Sequence, residues 1–115
     1  MIGKPGGRIA IASTTERIHK YVNELKAEEI EACRYVVDLM DREQTQKLVS
    51  AVLDNFGRVD ILINNAGMAQ VGSPEKCIPF AEIEDEEWDL SISRNLTTCF
   101  NVTRAILCYW TTVRR

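Results

Sequence analysis

Three short polar segments carry the side chains best suited to bind a ligand. Ser13-Thr14-Thr15 offers hydroxyls, Asp38 offers a carboxylate, and Asn64-Asn65-Ala66-Gly67 offers two carboxamides beside two small residues. Hydroxyls and carboxamides donate and accept hydrogen bonds, whereas an ionised carboxylate only accepts them. The small residues let a flat ligand approach the backbone closely. The last segment also fits an ordinary turn, because Asn and Gly are common where a strand ends.

Other combinations of reactive side chains give no comparable signal. The cysteines are Cys33, Cys77, Cys99 and Cys108. None of them is spaced as C-x-x-C, which argues against a zinc site or a redox motif. His19 is the single histidine and is predicted on a solvated helix face, while the acidic run at residues 82–89 fits a helix start, where negative charge is favourable. We therefore predict no metal site.

The size and charge of the chain narrow its class. The 115 residues suit one domain, and 45% hydrophobic with 27% charged residues is an ordinary globular balance. A net charge of −3 argues against a dedicated nucleic-acid partner. The sequence contains neither an apolar run of about 18 residues nor a signal peptide. We therefore expect no membrane partner, a cytoplasmic location and reduced thiols.

Short apolar runs alternate with amphipathic segments along the chain. The predicted strands cover residues 8–13, 33–38 and 59–64. The predicted helices cover about residues 15–28, 42–56 and 84–110. Asp41 with Gln44 is predicted to cap the second helix, and Gly57 to end it. The order β-α-β-α-β-α with near-continuous apolar strands predicts an α/β fold with a doubly wound parallel sheet and helices on both faces.

Ligands of such sheets bind beyond the carboxyl ends of the strands, which directs attention to the three polar segments. Residues 56–67, Phe-Gly-Arg-Val-Asp-Ile-Leu-Ile-Asn-Asn-Ala-Gly, resemble the fourth-strand segment of the short-chain dehydrogenases/reductases. Residues 9–13 resemble that family's second strand, residues 36–41 its third strand with the acidic turn, and residues 88–97 its fourth-helix signature. The resemblance implies that residues 1–115 form a single partial NAD(P)-binding domain, an incomplete Rossmann-like sheet. It also implies a hydride-transferring oxidoreductase with a small carbonyl or alcohol substrate, most similar to 3-oxoacyl-[acyl-carrier-protein] reductases.

The resemblance also implies residue roles. Asp38 matches the residue that accepts a hydrogen bond from the cofactor's adenine amino group, and Leu39 matches its neighbour in the adenine pocket. Asn65-Ala66-Gly67 matches the backbone wall beside the cofactor ribose. Asn95 matches the catalytic helix asparagine that helps to hold a water-linked proton relay. Taken without the family, Asn95 fits a buried polar residue that is satisfied by a neighbouring helix turn.

The end of the first predicted strand bears on the choice of cofactor. An acid there would bind the ribose 2′-hydroxyl of NAD and repel a 2′-phosphate. Ser13 occupies that place and Thr14 follows it, so the repulsion is absent. The hydroxyls of Ser13, Thr14 and Thr15, with the charge of Arg17, favour a phosphate. We therefore predict NADP rather than NAD, although Thr14-Thr15 also fits a helix cap.

Two motifs of the resembled family do not occur in these 115 residues. One is the Gly-rich turn T-G-x-x-x-G-x-G, which cradles a pyrophosphate at a helix start. The other is the Tyr-x-x-x-Lys pair, which supplies the proton. The resemblance therefore predicts the middle of a reductase that lacks both ends and is inactive alone. It also predicts that residues 59–64 lack their neighbouring strands, which favours aggregation through that edge.

Two other functions fit parts of the sequence. The chain could act only as an interaction module. Its last predicted helix, which resembles the family's fourth helix, is a candidate surface, because that helix often forms subunit interfaces in the family. The complete enzyme is expected to be a homo-oligomer. A flavodoxin-like domain would share the β-α alternation, but it would prefer FMN to NADPH.

Overall fold

The computed structural model describes residues 6–66 and 79–113. The elements are β1 (Arg8–Ser13), α1 (Ile18–Ala27), β2 (Glu31–Val36), α2 (Arg42–Phe56), a 3-10 turn (Phe80–Glu82), α3 (Asp85–Ile92), a π-helical turn (Ser93–Thr97) and α4 (Thr98–Val113). None of the helices in these ranges combines the length and apolar character needed to cross a bilayer.

The first two strands form a parallel pair. Their register runs from Arg8 opposite Glu31 to Ser13 opposite Val36. Helix α1 connects them and buries Ile18 and Val22, and it packs against β2 and β1. The prediction of an α/β fold with parallel strands is therefore confirmed.

Both predicted end signals of α2 are confirmed. The carboxylate of Asp41 accepts a hydrogen bond from the backbone N–H of Gln44, with 3.0 Å between Oδ1 and N. This bond is the main reason why the pKa of Asp41 lies below its ordinary value of 3.8. Gly57 has a φ of 77° and donates its N–H to the carbonyl of Leu53 at 2.7 Å. Glycine adopts this left-handed conformation at little cost, so the helix ends there.

The predicted helix over residues 84–110 is interrupted. The π-helical turn at Ser93–Thr97 separates α3 from α4. Side chains compete for backbone carbonyls around it: Asn95 Nδ2 donates to the carbonyl of Ser91 at 2.9 Å, and Thr98 Oγ1 donates to that of Arg94 at 2.9 Å. Such side-chain bonds offer the backbone an alternative to the regular helical ladder. Single π turns within α-helices occur frequently at functional sites.

The main core lies where α4 meets α2 and the segment that leaves β2. Its buried members are Val37, Leu39, Val49, Val102, Ala105 and Ile106. Ala12 of β1 and Trp110 of α4 pack against this cluster from its margin. Helix α4 is therefore the element that holds the carboxyl end of β2 in place.

The prediction of a third strand over residues 59–64 is wrong for the described structure. Val59 and Leu62 pack against the core, but Ile61 and Ile63 are 69% and 58% exposed. A strand is defined by hydrogen bonds to a neighbour, and among the described residues only β1 and β2 form a ladder. The segment is held instead by α4, because Trp110 Nε1 donates to the carbonyl of Val59 at 2.6 Å.

Smaller differences concern boundaries. Strand β2 begins at Glu31, two residues before the predicted start, and α1 begins at Ile18 rather than near Thr15. The start of α1 has no side-chain cap, so the alternative interpretation of Thr14-Thr15 as a helix cap is wrong. Instead, the N–H of Thr15 donates to the hydroxyl of Ser13 at 3.3 Å, and this local turn delays the helix.

Candidate cofactor-binding edge

The carboxyl ends of β1 and β2 lie side by side. Ser13 is the last residue of β1, and its carbonyl accepts a hydrogen bond from the N–H of Val37 at 2.9 Å. Asp38 follows directly. The structure thus brings Ser13 and Asp38, two of the predicted site residues, to the same edge of the sheet.

The carboxylate of Asp38 is held by its own turn. Its Oδ1 accepts a hydrogen bond from the N–H of Met40 at 2.9 Å, and the N–H of Asp38 donates to Gln44 Oε1 at 3.1 Å. The carbonyl of Asp38 accepts from the N–H of Asp41 at 3.2 Å. No described residue donates to Oδ2, and the side chain is half-buried. One carboxylate oxygen therefore fixes the turn, and the other can accept a hydrogen bond from a ligand.

The side chain of Leu39 belongs to the core rather than to an open pocket. It is 8% exposed and packs within the cluster that joins α2 and α4. Its carbonyl accepts hydrogen bonds from Asn101 Nδ2 at 2.9 Å and from Thr45 Oγ1 at 3.3 Å. Any contact of Leu39 with a ligand would therefore come mainly from its backbone N–H.

The segment after β1 carries hydroxyls, the exposed carboxylate of Glu16, which contacts the His19 ring, and the guanidinium of Arg17. Ser13 Oγ accepts a hydrogen bond from the N–H of Thr15. The hydroxyls of Thr14 and Thr15 form no hydrogen bond with a described residue. Arg17 is exposed at the start of α1 and forms no ion pair within the described ranges. A helix start carries a partial positive charge. The hydroxyls and Arg17 suit an anion such as a phosphate, whereas the carboxylate of Glu16 is engaged by His19.

The third polar segment is tied to α4 by its first residue. Asn64 Nδ2 donates to Thr103 Oγ1 at 3.0 Å. Asn65 and Ala66 are exposed, and the N–H of Asn65 donates to the carbonyl of Ile63 at 3.1 Å. Gly67, predicted to be part of the same wall, lies outside the described residues.

Helix α4 brings the end of this segment to the level of the Asp38 turn. Asn101 contacts Leu39 and Met40, while Thr103 contacts Asn64. Two residues correspond to about 3 Å along a helix axis. With about 3.6 residues per turn, two residues also differ by roughly 200° around the axis, so Asn101 and Thr103 lie on nearly opposite faces of α4. The contacts therefore place Asn64 at the level of the Asp38 turn along the axis of α4, with Asn65 and Ala66 following Asn64 in the chain.

Asn95 lies in the π-helical turn that precedes α4. Its side chain is exposed and donates to the carbonyl of Ser91. Asn95 and Asn101 lie on one continuous helical segment. In the described ranges, no group of three or more His, Cys, Asp or Glu side chains is arranged to hold a metal ion.

Sequence reasoning missed the residues that support the edge. Gln44, Thr45 and Asn101 all bond to the turn between Asp38 and Asp41. Their sequence signal is weak, because the position of Gln44 indicates only a cap partner of Asp41. Asn101 could have been found as a polar residue within the apolar face that also carries Val102 and Ala105.

A family model described as short chain dehydrogenase matches residues 1–115. The 3-oxoacyl-[acyl-carrier-protein] reductase FabG of Thermotoga maritima is 35% identical over 75 residues, which are 65% of this chain and 28% of that protein. A crystal structure of a short chain dehydrogenase from Mycobacterium avium has a TM-score of 0.86 at 22% identity and covers 98% of this chain and 41% of that one. An actinorhodin polyketide ketoreductase variant with NADPH has a TM-score of 0.79 at 33% identity, over 92% of this chain and 39% of that one.

These likenesses agree with the geometry of the strand ends. The parallel strands, the crossover helix and the polar edge define an incomplete Rossmann-like domain of the α/β oxidoreductases. The chain belongs to the short-chain dehydrogenase family. It spans between 28% and 34% of the length of the first curated relatives that it matches.

Proposed function

We propose that this chain forms the part of a short-chain reductase that binds the adenosine half of NADP(H), in preference to NAD(H). The adjacency of Ser13 and Asp38, joined through the bond between Val37 N and the Ser13 carbonyl, carries the proposal. It brings a carboxylate acceptor and an acid-free, hydroxyl-rich strand end to one edge. A relative of known structure is described with NADPH, which supports the same class of cofactor.

Each residue has a distinct role in this proposal. Asp38 Oδ2 accepts a hydrogen bond from the adenine amino group, and the backbone N–H of Leu39 lies beside it. Ser13, Thr14 and the exposed Arg17 receive the 2′-phosphate, because hydroxyls and a guanidinium are good donors to anionic oxygens. Asn65-Ala66-Gly67 lines the ribose side, where small residues permit a close approach.

The reaction of the complete enzyme is transfer of a hydride between NADP(H) and a carbonyl or alcohol substrate. The cofactor supplies the hydride when it is bound. The similarity to the 3-oxoacyl reductase of Thermotoga maritima supports a 3-oxoacyl substrate. Asn95 would help to hold the proton relay. The 115 residues contain no Tyr-x-x-x-Lys pair, so this chain alone is proposed to bind the cofactor without turnover.

Calorimetric titration of the chain with NADPH, NADH and FMN tests the proposal. We expect the affinity to fall in that order. Ser13→Asp is the matched variant: an acid at this position repels a 2′-phosphate but can bind a 2′-hydroxyl, so affinity for NADPH falls and affinity for NADH is retained or increased. A preference for FMN, or an identical loss for both nicotinamide cofactors, would contradict the proposal.

A second candidate function, association with another copy of the chain, is favoured by the exposed apolar side chains of the last helical segment. Leu96, Phe100 and Leu107 are all exposed there and line a shallow groove. Contiguous apolar surface of this kind is often an interaction site. We propose that the complete enzyme is a homo-oligomer that uses this face. Sedimentation of the chain and of Phe100→Glu tests this, since the variant should be monomeric at concentrations where the parent associates. The cytoplasmic location stays a prediction.

A further inference from the structure

Asn101 makes a long-range contact that none of the functions above assigns. It lies on α4 with 6% of its surface exposed. Its Nδ2 donates to the carbonyl of Leu39 at 2.9 Å and to that of Met40 at 3.2 Å. These are the two residues that directly follow Asp38. A buried carboxamide on one helix thus bridges two consecutive carbonyls of a turn more than sixty residues away in sequence.

Local contacts fix only part of this turn. Asp38 Oδ1 holds the N–H of Met40, and Thr45 Oγ1 reaches the carbonyl of Leu39 at the longer distance of 3.3 Å. The carbonyl of Met40 has no other hydrogen-bond donor among the described residues. Besides the packing of the Leu39 side chain against α4, Asn101 therefore supplies the hydrogen bonds that orient the turn relative to this helix.

The residue type suits this task. A carboxamide nitrogen carries two donors, which match two carbonyl acceptors. A leucine of similar size would leave the Met40 carbonyl unpaired, and an ionised carboxylate would face two acceptors with no proton to share. The Asn101 carboxamide is itself buried, and a buried polar group without partners is costly, so the pairing favours one orientation of the turn.

We propose that Asn101 is a positioning residue that pre-organises the Asp38 carboxylate for an adenine amino group. The inference rests on the proposed function and deepens it. A binding group that is already ordered loses less conformational entropy on binding. Asn101 acts through the turn and not by contact with the cofactor. It also joins the adenine end of the site to the helical segment that carries Asn95.

The test compares the parent chain, Asn101→Leu and the control Thr111→Val. Thr111 is exposed on α4 and bonds only to carbonyls of its own helix. Each protein is titrated with adenosine 2′,5′-bisphosphate and with its inosine counterpart, which lacks the amino group. Amide hydrogen exchange is followed separately at residues 38–40 and along α4.

We expect Asn101→Leu to weaken binding of the adenosine compound by about tenfold, the order of one hydrogen bond. The inosine compound should be affected much less, so discrimination between the bases falls. Exchange should accelerate at residues 38–40 with little change along α4. The control should match the parent chain in all these measurements.

Three results would overturn the inference: equal weakening of both nucleotides, faster exchange throughout the chain, or unchanged discrimination and unchanged exchange. The first two describe a merely structural role. If the parent chain binds neither nucleotide, the proposed function fails. Exchange at residues 38–40 then decides by itself whether Asn101 orders the turn.

Discussion

Replacement of Asp38 by asparagine separates recognition of adenine from formation of the turn. The turn depends on Oδ1, which accepts from the N–H of Met40 at 2.9 Å, and asparagine retains that oxygen. The second position changes from an acceptor to an NH₂ donor, which would face the adenine amino group. We therefore expect the fold to survive while adenine recognition is lost.

The size of this effect follows from the kind of bond. A hydrogen bond to a charged group contributes about 1.5–3 kcal/mol, which corresponds to about a 10- to 150-fold loss of affinity. The assay is calorimetric titration at pH 7 with adenosine 2′,5′-bisphosphate. Asp54→Asn is the charge-matched control, because Asp54 is exposed on α2 and forms no ion pair with a described residue.

Thermal unfolding is measured on the same samples, and Asp38→Asn should lie within about 0.5 kcal/mol of the parent chain, as for a surface substitution that leaves its contacts intact. Binding by Asp38→Asn as tight as that of the parent would refute the assignment of Asp38 to adenine. An equal loss in Asp54→Asn would mean that net charge, and not a specific contact, governs affinity.

Three further predictions concern the elements that hold the site. Thr45→Val keeps the shape of a side chain that is 1% exposed but removes its 2.8 Å hydrogen bond to the carbonyl of Asp41; denaturant unfolding should show a loss of about 1 kcal/mol, and no loss would contradict the role of that bond. In Gly57→Ala the new Cβ meets no atom within 4 Å, but the positive φ strains an alanine, so the free energy of unfolding should fall by about 1 kcal/mol. Glu29 has a φ of 63°, so Glu29→Gly should raise the free energy of unfolding by about 0.5–1 kcal/mol. Thermal melts in which both variants shift in the same direction would refute this pair of predictions. The pKa of Asp41 is lower in the folded state than its ordinary value of 3.8. The Asp41 carboxylate therefore contributes fully to stability above pH 3.8, and this contribution is lost as the pH falls through the lowered pKa. Asp41→Asn should flatten this part of a curve of stability against pH, and an unchanged curve would exclude Asp41 as the source.

The parts of the fold that were predictable have local causes. Asp41 and Gly57 bound α2 as predicted, because capping depends on residues three or four positions apart. Strand β1 was predicted from its apolar run, and it forms because β2 lies beside it. Residues 59–64 have an equally apolar run, yet they form no ladder, since a strand also requires a partner that periodicity does not report.

The site was predictable only in part, for the same reason. Ser13 and Asp38 could be placed together, because parallel strands end at the same edge of a sheet. The π-helical turn around Asn95 depends on competition for carbonyls within the helix, which a helical hydrophobic pattern does not reveal. The bond from Asn101 to Leu39 and Met40 joins positions distant in sequence, and only tertiary packing brings them into contact.

Backbone amide NMR with adenosine 2′,5′-bisphosphate tests most directly the claim that the three polar segments form the adenosine site. We predict chemical-shift changes that saturate together and are concentrated at residues 13–15, 38–40 and 64–66. Changes concentrated elsewhere, for example on the exposed face of α4 around Phe100, or no saturable change, would contradict it.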